Sequence, residues 1–435
     1  MAKKKSIEKK PREMTRRQLS QHKRQQRRQR IIIISGITVI VAIVLIVLAG
    51  WFTGEYLPMH RIVLKINDAK FDTRYFIDAL KIYGADKPPE QFESLGASVM
   101  NYIIQNELIL QGAEKLGITV TAAEIKKEIE EYGGSTLEAN IDIIRAQRVQ
   151  MRLRSEYIDT LVPVSDNQIN INAMLVESES LAFEVRNRLI TSDNFSALAE
   201  KYAQNYTSKQ NNGEYGWHPI SMFEDQLGSQ VPLEFAIHSS PGTISQPLPD
   251  AEANKQLGYW LIRVVDRNEE EEEAMVQALY LSSRAEALDI KARLEAGDNM
   301  SALADQYSQY SPSKEAHGDL GSVFMSDDPE KPTITSIFES YVFDPEVPLG
   351  QWSDPIIEDT LWTKGGAWLV EVVGKDDDRE LSTEDRDILV NQAFSDWFTE
   401  LWQEASEDVD RSGFTLELSQ WATDKAREEL QQGKG

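Results

Sequence analysis

A segment of 24 residues occurs twice in this chain: Asp193–Gly216 (DNFSALAEKYAQNYTSKQNNGEYG) aligns without a gap on Asp298–Gly321 (DNMSALADQYSQYSPSKEAHGDLG), with 12 identities at an offset of 105. After a small length difference the register resumes at an offset of 108, where GYWLIRVV from Gly258 matches GAWLVEVV from Gly366. An internal repeat of this length restricts the architecture, because whatever fold one copy takes the other takes as well. Each copy spans roughly 100 residues, 168–267 and 275–375. In each, a short apolar strand (Ile171–Val176, Val276–Leu281) precedes a helix, a second helix carries Ser-Ala-Leu-Ala, a Gly-rich loop follows, and an apolar strand closes the unit. The class is α+β. Between the copies, 268–274 reads as an acidic linker, because Glu269–Glu273 is a run of five like charges; a calcium-binding patch is the alternative.

With 435 residues, 41% hydrophobic and 27% charged, the chain has room for further domains and does not read as disordered. A formal net charge of −25 argues against nucleic acid as a partner, since phosphate is repelled. The absence of cysteine excludes disulfides, thiol catalysis, Cys-ligated metals and a lipid-modified cysteine.

The charge is unevenly placed. Residues 1–30 carry 13 Lys or Arg against Glu8 and Glu13, so the acidic surplus lies beyond them. From Ile31 to Gly54 there is no charged residue. At about 1.5 Å per residue this stretch reaches about 36 Å, enough to cross a hydrocarbon core of about 30 Å. It reads as a transmembrane helix, 31–54, in preference to a signal peptide, whose apolar region is shorter, or a core helix. Because Lys and Arg stay on the cytoplasmic side, the basic tail is expected inside and everything beyond Trp51 outside, a single-pass protein of the cell membrane. The tail reads as a topology signal, with binding to anionic lipid or RNA as the rival.

Residues 60–165 read as a mainly helical domain. Arg61–Asn67 is a short strand, Asp68–Lys70 a turn and Phe71–Ile82 a helix; a second helix runs from Pro88 and Pro89 to Leu116. Thr121 with Glu124 forms a capping box, Gly133–Gly134 ends that helix, and a long helix spans 136–161, after which Ser165 with Gln168 suggests another helix cap. Past the repeats, Asp376–Arg379 reads as a charged linker. Ser382 with Asp385 caps a helix whose inner face holds Ile388, Phe394, Phe398, Leu401 and Trp402, and a last short helix follows from Leu416. Those C-terminal helices, 382–431, are too apolar to stay exposed and are expected to fold back onto the N-terminal helical domain.

Several motifs occur in order in both copies. Tyr307-Ser-Gln-Tyr-Ser-Pro-Ser with Gly318-Asp-Leu-Gly, and in the first copy Gly213-Glu-Tyr-Gly-Trp and Pro241-Gly-Thr-Ile-Ser, resemble the parvulin-type peptidyl-prolyl isomerase domain. Phe338-Glu-Ser-Tyr-Val-Phe343 is similar to the family's Phe-Glu-x-Ala-x-Phe. The basic tail, the single span and Gly117–Glu124 (GITVTAAE) look like the SurA, PrsA and PpiD group of extracytoplasmic foldases, which implies a helical chaperone domain around two parvulin-like modules.

Rotation about an X-Pro bond faces a barrier of about 18–20 kcal/mol, slow enough to limit folding of an exported chain. The chemistry needs an apolar cup for the proline ring and a polar surround, with no metal and no cofactor. The family places a histidine in the first strand, another in the last strand, and an Asp or Cys before the Gly-rich segment. Here the resemblance aligns Ala173 and Ala278 with the first, Trp260 and Trp368 with the second, and Asn205 and Tyr310 with the third. Phe338 falls on the family's proline-pocket phenylalanine, with Pro232 or a neighbour in the first copy. Phe338, Phe343, Ile334, Trp368, Tyr310 and Trp260 are therefore the peptide-binding candidates, and Trp260 and Trp368 are either core or an aromatic floor. None of His22, His60, His218, His238 and His317 has metal-ligand spacing; the last three fall in expected loops. The leading expectation is a membrane-anchored extracytoplasmic chaperone that binds unfolded, newly exported polypeptides with weak or no isomerase activity. The alternatives are an active isomerase on exported proteins and a non-catalytic structural partner of a translocon or envelope complex.

Overall fold

The computed structural model describes residues 16–88, 91–132, 135–191, 193–268, 270, 272–326, 328 and 332–432. Half of the basic tail, Pro89, Gly133–Gly134, and Glu269 and Glu271 of the acidic run lie outside the described residues. The apolar segment is one helix: α1 (Arg16–Trp51) continues through a π-helical turn at Phe52–Tyr56 and a last turn at Leu57–Met59. Within it, Ile33–Met59 is long and apolar enough to cross a membrane and buries none of its most apolar window.

The chain then divides into two compact units, Met1–Val162 with Val390–Gly435, and Pro163–Leu389. In the first, β1 (Ile62–Ile66) and β2 (Ala69–Asp72) form a hairpin, and Asp72 ends it by accepting the Tyr75 N–H at 2.9 Å. That cap starts α2 at Thr73 (Thr73–Gly84), two residues later than the apolar spacing suggests. Helices α3 (Phe92–Lys115), α4 (Ala122–Tyr132) and α5 (Glu138–Leu153) follow. The capping box is present: the Thr121 N–H donates to Glu124 Oε2 at 2.8 Å and the Glu124 N–H to Thr121 Oγ1 at 3.3 Å.

The second unit contains β3 (Ser165–Val176), α6 (Glu179–Thr191), α7 (Phe195–Tyr202), α8 (Tyr206–Gln210), β4 (Glu214–Pro219), α9 (Phe223–Leu227), α10 (Gln230–His238), β5 (Leu248–Pro249), β6 (Asn254–Lys255) and β7 (Gly258–Asn268). The second copy repeats the order with β8 (Glu273–Leu281), α11 (Arg284–Glu295), α12 (Met300–Tyr307), α13 (Ser311–Glu315), β9 (Asp319–Phe324), α14 (Ser336–Val342), β10 (Ile356–Glu358), β11 (Thr363–Lys364) and β12 (Ala367–Glu380). Two four-stranded antiparallel sheets result, in orders β4-β3-β12-β5 and β10-β7-β8-β9. The closing strands are thus exchanged: β12 of the second copy lies beside β3 of the first, and β7 of the first beside β8 of the second.

This arrangement alters three readings of the sequence. The described part of 268–274 is no free linker, because Asn268 of β7 pairs with Glu273 of β8, and Glu272 takes φ +51°. Ser165 and Gln168 cap no helix; they lie in β3, where Ser165 pairs with Glu380 and the Gln168 amide donates to Arg379 O at 2.9 Å. Asp376–Arg379 is part of β12, paired with β3 at Asp376 and Arg379 across an irregularity, and Arg379 lies 4.3 Å over the Trp217 ring.

The chain returns through α15 (Thr383–Ala405), β13 (Val409–Asp410) and α16 (Leu416–Gln432). Leu401, Ala405, Leu418, Ala422 and Ala426 join Leu64, Phe76, Leu80, Met100 and Ile104 in the core of the first unit. Gly112 permits the contact, since a Cβ there would stand 2.7 Å from Leu401 and 2.8 Å from Trp397. Ile388 departs from the expected inner face and is 53% exposed, because it precedes the part of α15 that packs.

Candidate peptide-binding cups

Each four-stranded sheet of the second unit carries one cup, and each cup is built from both copies. On the β10-β7-β8-β9 sheet, alternation puts Trp260, Ile262, Ala278 and Tyr280 on one face, where they meet Phe338 of α14. The Trp260 indole fills this cup: its ring lies 4.7 Å from Tyr280, 5.2 Å from Tyr310 and 4.9 Å from Phe338. Trp260 and Phe338 are fully buried, whereas Tyr310, Ile334 and Phe343 are half-buried. Phe338 is set by its helix start, its N–H donating to the Thr335 hydroxyl at 3.1 Å.

On the β4-β3-β12-β5 sheet, Trp368 takes the same role among Ala173, Tyr215, Phe223, Leu227 and Leu233, and it is 1% exposed. Asn205 accepts the Leu175 N–H at 3.1 Å and donates to Tyr215 Oη at 3.1 Å, so it braces the strand. The alanines are pinned alike: Ser208 Oγ donates to Ala173 O at 2.7 Å and Ser313 Oγ to Ala278 O at 2.5 Å. The alignment that pairs Ala173 with Trp260 and Ala278 with Trp368 is therefore redrawn. Strand exchange brings Ala173 together with Trp368 and Ala278 together with Trp260, because the short turn commits β7 to β8.

The two cups differ in one polar contact. Trp368 Nε1 donates to Asp250 Oδ2 at 3.1 Å, and Asp250 also accepts from the Ser229 hydroxyl at 2.6 Å and from the Glu252 and Ala253 N–H groups at 3.0 Å. Burial pushes the Asp250 carboxyl up, but these hydrogen bonds outweigh it and leave the group below its usual range. At the offset of 108 the equivalent carboxylate is Glu358. Its Oε1 accepts the Thr360 N–H at 3.0 Å and the Thr360 hydroxyl at 2.6 Å, while Glu358 Oε2 and Trp260 Nε1 are buried with no protein partner. Sequence reasoning missed this pair, although the repeat aligned both carboxylates.

It also missed a buried lysine at the seam of the copies. Lys255 is fully buried, and its ammonium donates to Gly365 O at 2.5 Å and Lys364 O at 3.4 Å. Burial pulls Lys255 down to about 8, with Glu177 and Glu286 acting in the opposite sense. Tyr259 Oη donates to Glu177 Oε2 at 2.8 Å beside it. An open groove of about 730 Å³ runs past the seam, lined by Tyr307, Gln309, Lys314, Trp362 and Lys364.

Two of the expected loop histidines are placed differently. His218 lies on β4 with Nδ1 2.7 Å from Asp385 Oδ1, and His238 ends α10. His317 lies in a turn, 2.6 Å from Asp305 Oδ1.

Residues 162–266 and 268–372 match the family described as PPIC-type PPIASE domain, and residues 23–139 match the SurA-like N-terminal domain. The chain is 25% identical over 180 residues to the foldase protein PrsA of Caldanaerobacter subterraneus subsp. tengcongensis, covering 38% of this chain and 55% of that protein. It is 25% identical over 314 residues to the chaperone SurA of Burkholderia thailandensis, covering 65% of this chain and 61% of that protein. The alignments thus span between about half and two thirds of these relatives' lengths. Among solved structures, the peptidylprolyl isomerase PrsA from Bacillus anthracis aligns over 76% of this chain and 97% of its own at 11% identity, with a TM-score of 0.25.

Proposed function

The chain belongs to the parvulin-type peptidyl-prolyl isomerase family, with a SurA-like N-terminal domain and two PPIC-type domains, and we propose that it is a membrane-anchored extracytoplasmic chaperone with weak or no isomerase activity. Its clients on this reading are unfolded, newly exported polypeptides.

The observation that carries the reading is the filled cup. An isomerase of this class needs an open apolar recess and polar groups beside the twisting amide. Here an indole occupies the recess in both modules, with exposures of 0% for Trp260 and 1% for Trp368, and alanine stands at both first-strand positions. A proline ring can enter only if an indole leaves. Membrane anchoring is supported by the long apolar helix Ile33–Met59, and the extracytoplasmic placement by the basic residues on its N-terminal side. The acidic outer surface keeps such a chaperone soluble, and salt confines its attraction for basic clients to about 8–10 Å.

Exchange NMR on a short X-Pro peptide, with the full-length protein in detergent, tests the proposal. The expected result is no acceleration of cis–trans exchange at micromolar protein, together with suppressed aggregation of an unfolded client. Acceleration that disappears in a Tyr310→Ala variant would establish an active isomerase instead. Stable purification with one defined partner and no effect on clients would favour a structural component of an envelope complex.

A further inference from the structure

We infer that the two repeats form one obligate strand-exchanged body, selected by the four-residue connection between β7 and β8, so that neither copy contains a complete cup. Three observations carry this. The two ladders are interchangeable in register: Ile262 faces Ala278 and Val370 faces Ala173, positions related by the repeat offsets. One irregularity coincides too, falling between Val264 and Asp266 in one closing strand and between Val372 and Gly374 in the other, while β12 carries a second between Asp376 and Arg379 beyond the shared stretch. Side-chain patterning therefore does not tell β3 whether to take β7 or β12.

Chain connectivity does. Asn268 and Glu273 are joined by four residues, and pairing β7 with β8 closes a local hairpin. Pairing each copy with its own closing strand would instead close two loops of more than 80 residues each, from Val176 to Gly258 and from Leu281 to Ala367. Scaling loop-closure entropy with the logarithm of loop length favours the exchanged pairing about 30-fold. The hairpin also forms first, in about 1–10 μs, and so removes β7 before β12 has been made.

The exchange has a structural return. Because β3 and β12 pair from Val176–Ala367 out to Ser165–Glu380, the two ends of the unit leave side by side, with the Leu381 N–H donating to Val164 O at 3.0 Å. A tandem pair of modules thereby becomes an insertion with adjacent ends. The first unit, whose core needs chain from both sides of that insertion, can then close.

The chain has no cysteine, so engineered pairs report without background. Asn172 faces Glu371 and Arg263 faces Gln277 in the exchanged ladders, within the Cα separation a disulfide tolerates. In the full-length protein, Asn172→Cys with Glu371→Cys is expected to close within one chain, and Asn172→Cys with Arg263→Cys to remain open. Inserting about 20 Gly and Ser residues into the turn reduces the 30-fold preference to about twofold, so the 172–263 disulfide should rise from about 3% of chains to about a third. A 172–263 disulfide in a third or more of the chains at native turn length, or a 172–371 disulfide that forms only between two chains, would overturn the exchanged body. An unchanged 172–263 yield after insertion would overturn the role of the turn.

Discussion

The two tryptophans that fill the cups should respond differently to loss of the indole N–H. Trp260 and Trp368 are equally buried and flanked by aromatic or aliphatic neighbours, so the packing cost of Trp→Phe is similar at both. The polar contribution has opposite sign. Trp368→Phe removes a 3.1 Å donor from the Asp250 carboxylate, a contact worth about 1.5–3 kcal/mol. Trp260→Phe removes a buried donor that has no protein acceptor and returns its desolvation penalty, about 1–3 kcal/mol. Trp368→Phe should therefore cost about 3 kcal/mol or more beyond Trp260→Phe, a difference of roughly 6–12 °C in melting temperature for a unit of this size. Circular dichroism during urea and thermal unfolding reads it, with unchanged m-values as the control. The difference should shrink in acid: Asp250 is held below the usual carboxylate range, so its stabilisation is complete above the unfolded value and fades as pH falls through the folded one. Equal destabilisation by the two substitutions, or a larger loss at Trp260, would refute the assignment.

Three further outcomes follow from other parts of the molecule. Lys255 is lowered to about 8 in the folded protein and near 10.4 in the unfolded chain, so the unfolded state holds more protons between those values. Stability should rise with pH across that window by something on the order of 3 kcal/mol, and Lys255→Met should remove the rise in denaturant melts. Deleting residues 416–432 should raise amide exchange throughout α2 and α3, because Leu418, Ala422 and Ala426 leave the core with them; protection equal to the parent would show that this core closes without them. Histidines restored within one cup, Ala278→His with Trp260→His, should raise X-Pro exchange above the parent, whereas Ala278→His with Trp368→His divides the pair between two cups and should not.

Much of this fold could be read from residue order, and where it could not the cause is identifiable. The duplication, the capping box at Thr121 and the α+β pattern rest on local chemistry, a hydroxyl facing a free N–H or alternation along a strand, whereas the cap at Asp72 that delays the first helix to Thr73 went unread. Ser165 and Gln168 carry the same local signal, yet pairing with β12 outweighs it, and a partner some 200 residues away leaves no mark nearby. The exchange itself is hidden for a related reason. GYWLIRVV and GAWLVEVV are so alike that either strand satisfies either sheet, and the deciding element is a turn of glutamates that composition alone presents as a solvated linker. The same likeness misdirects the site. The resemblance sets alanine and tryptophan at the family's histidine positions and groups them in chain order, whereas the molecule brings them together across copies. Each filled cup thus depends on two segments separated by the other copy or its connection. A substitution in either closing strand should therefore be felt in the cup of the opposite repeat.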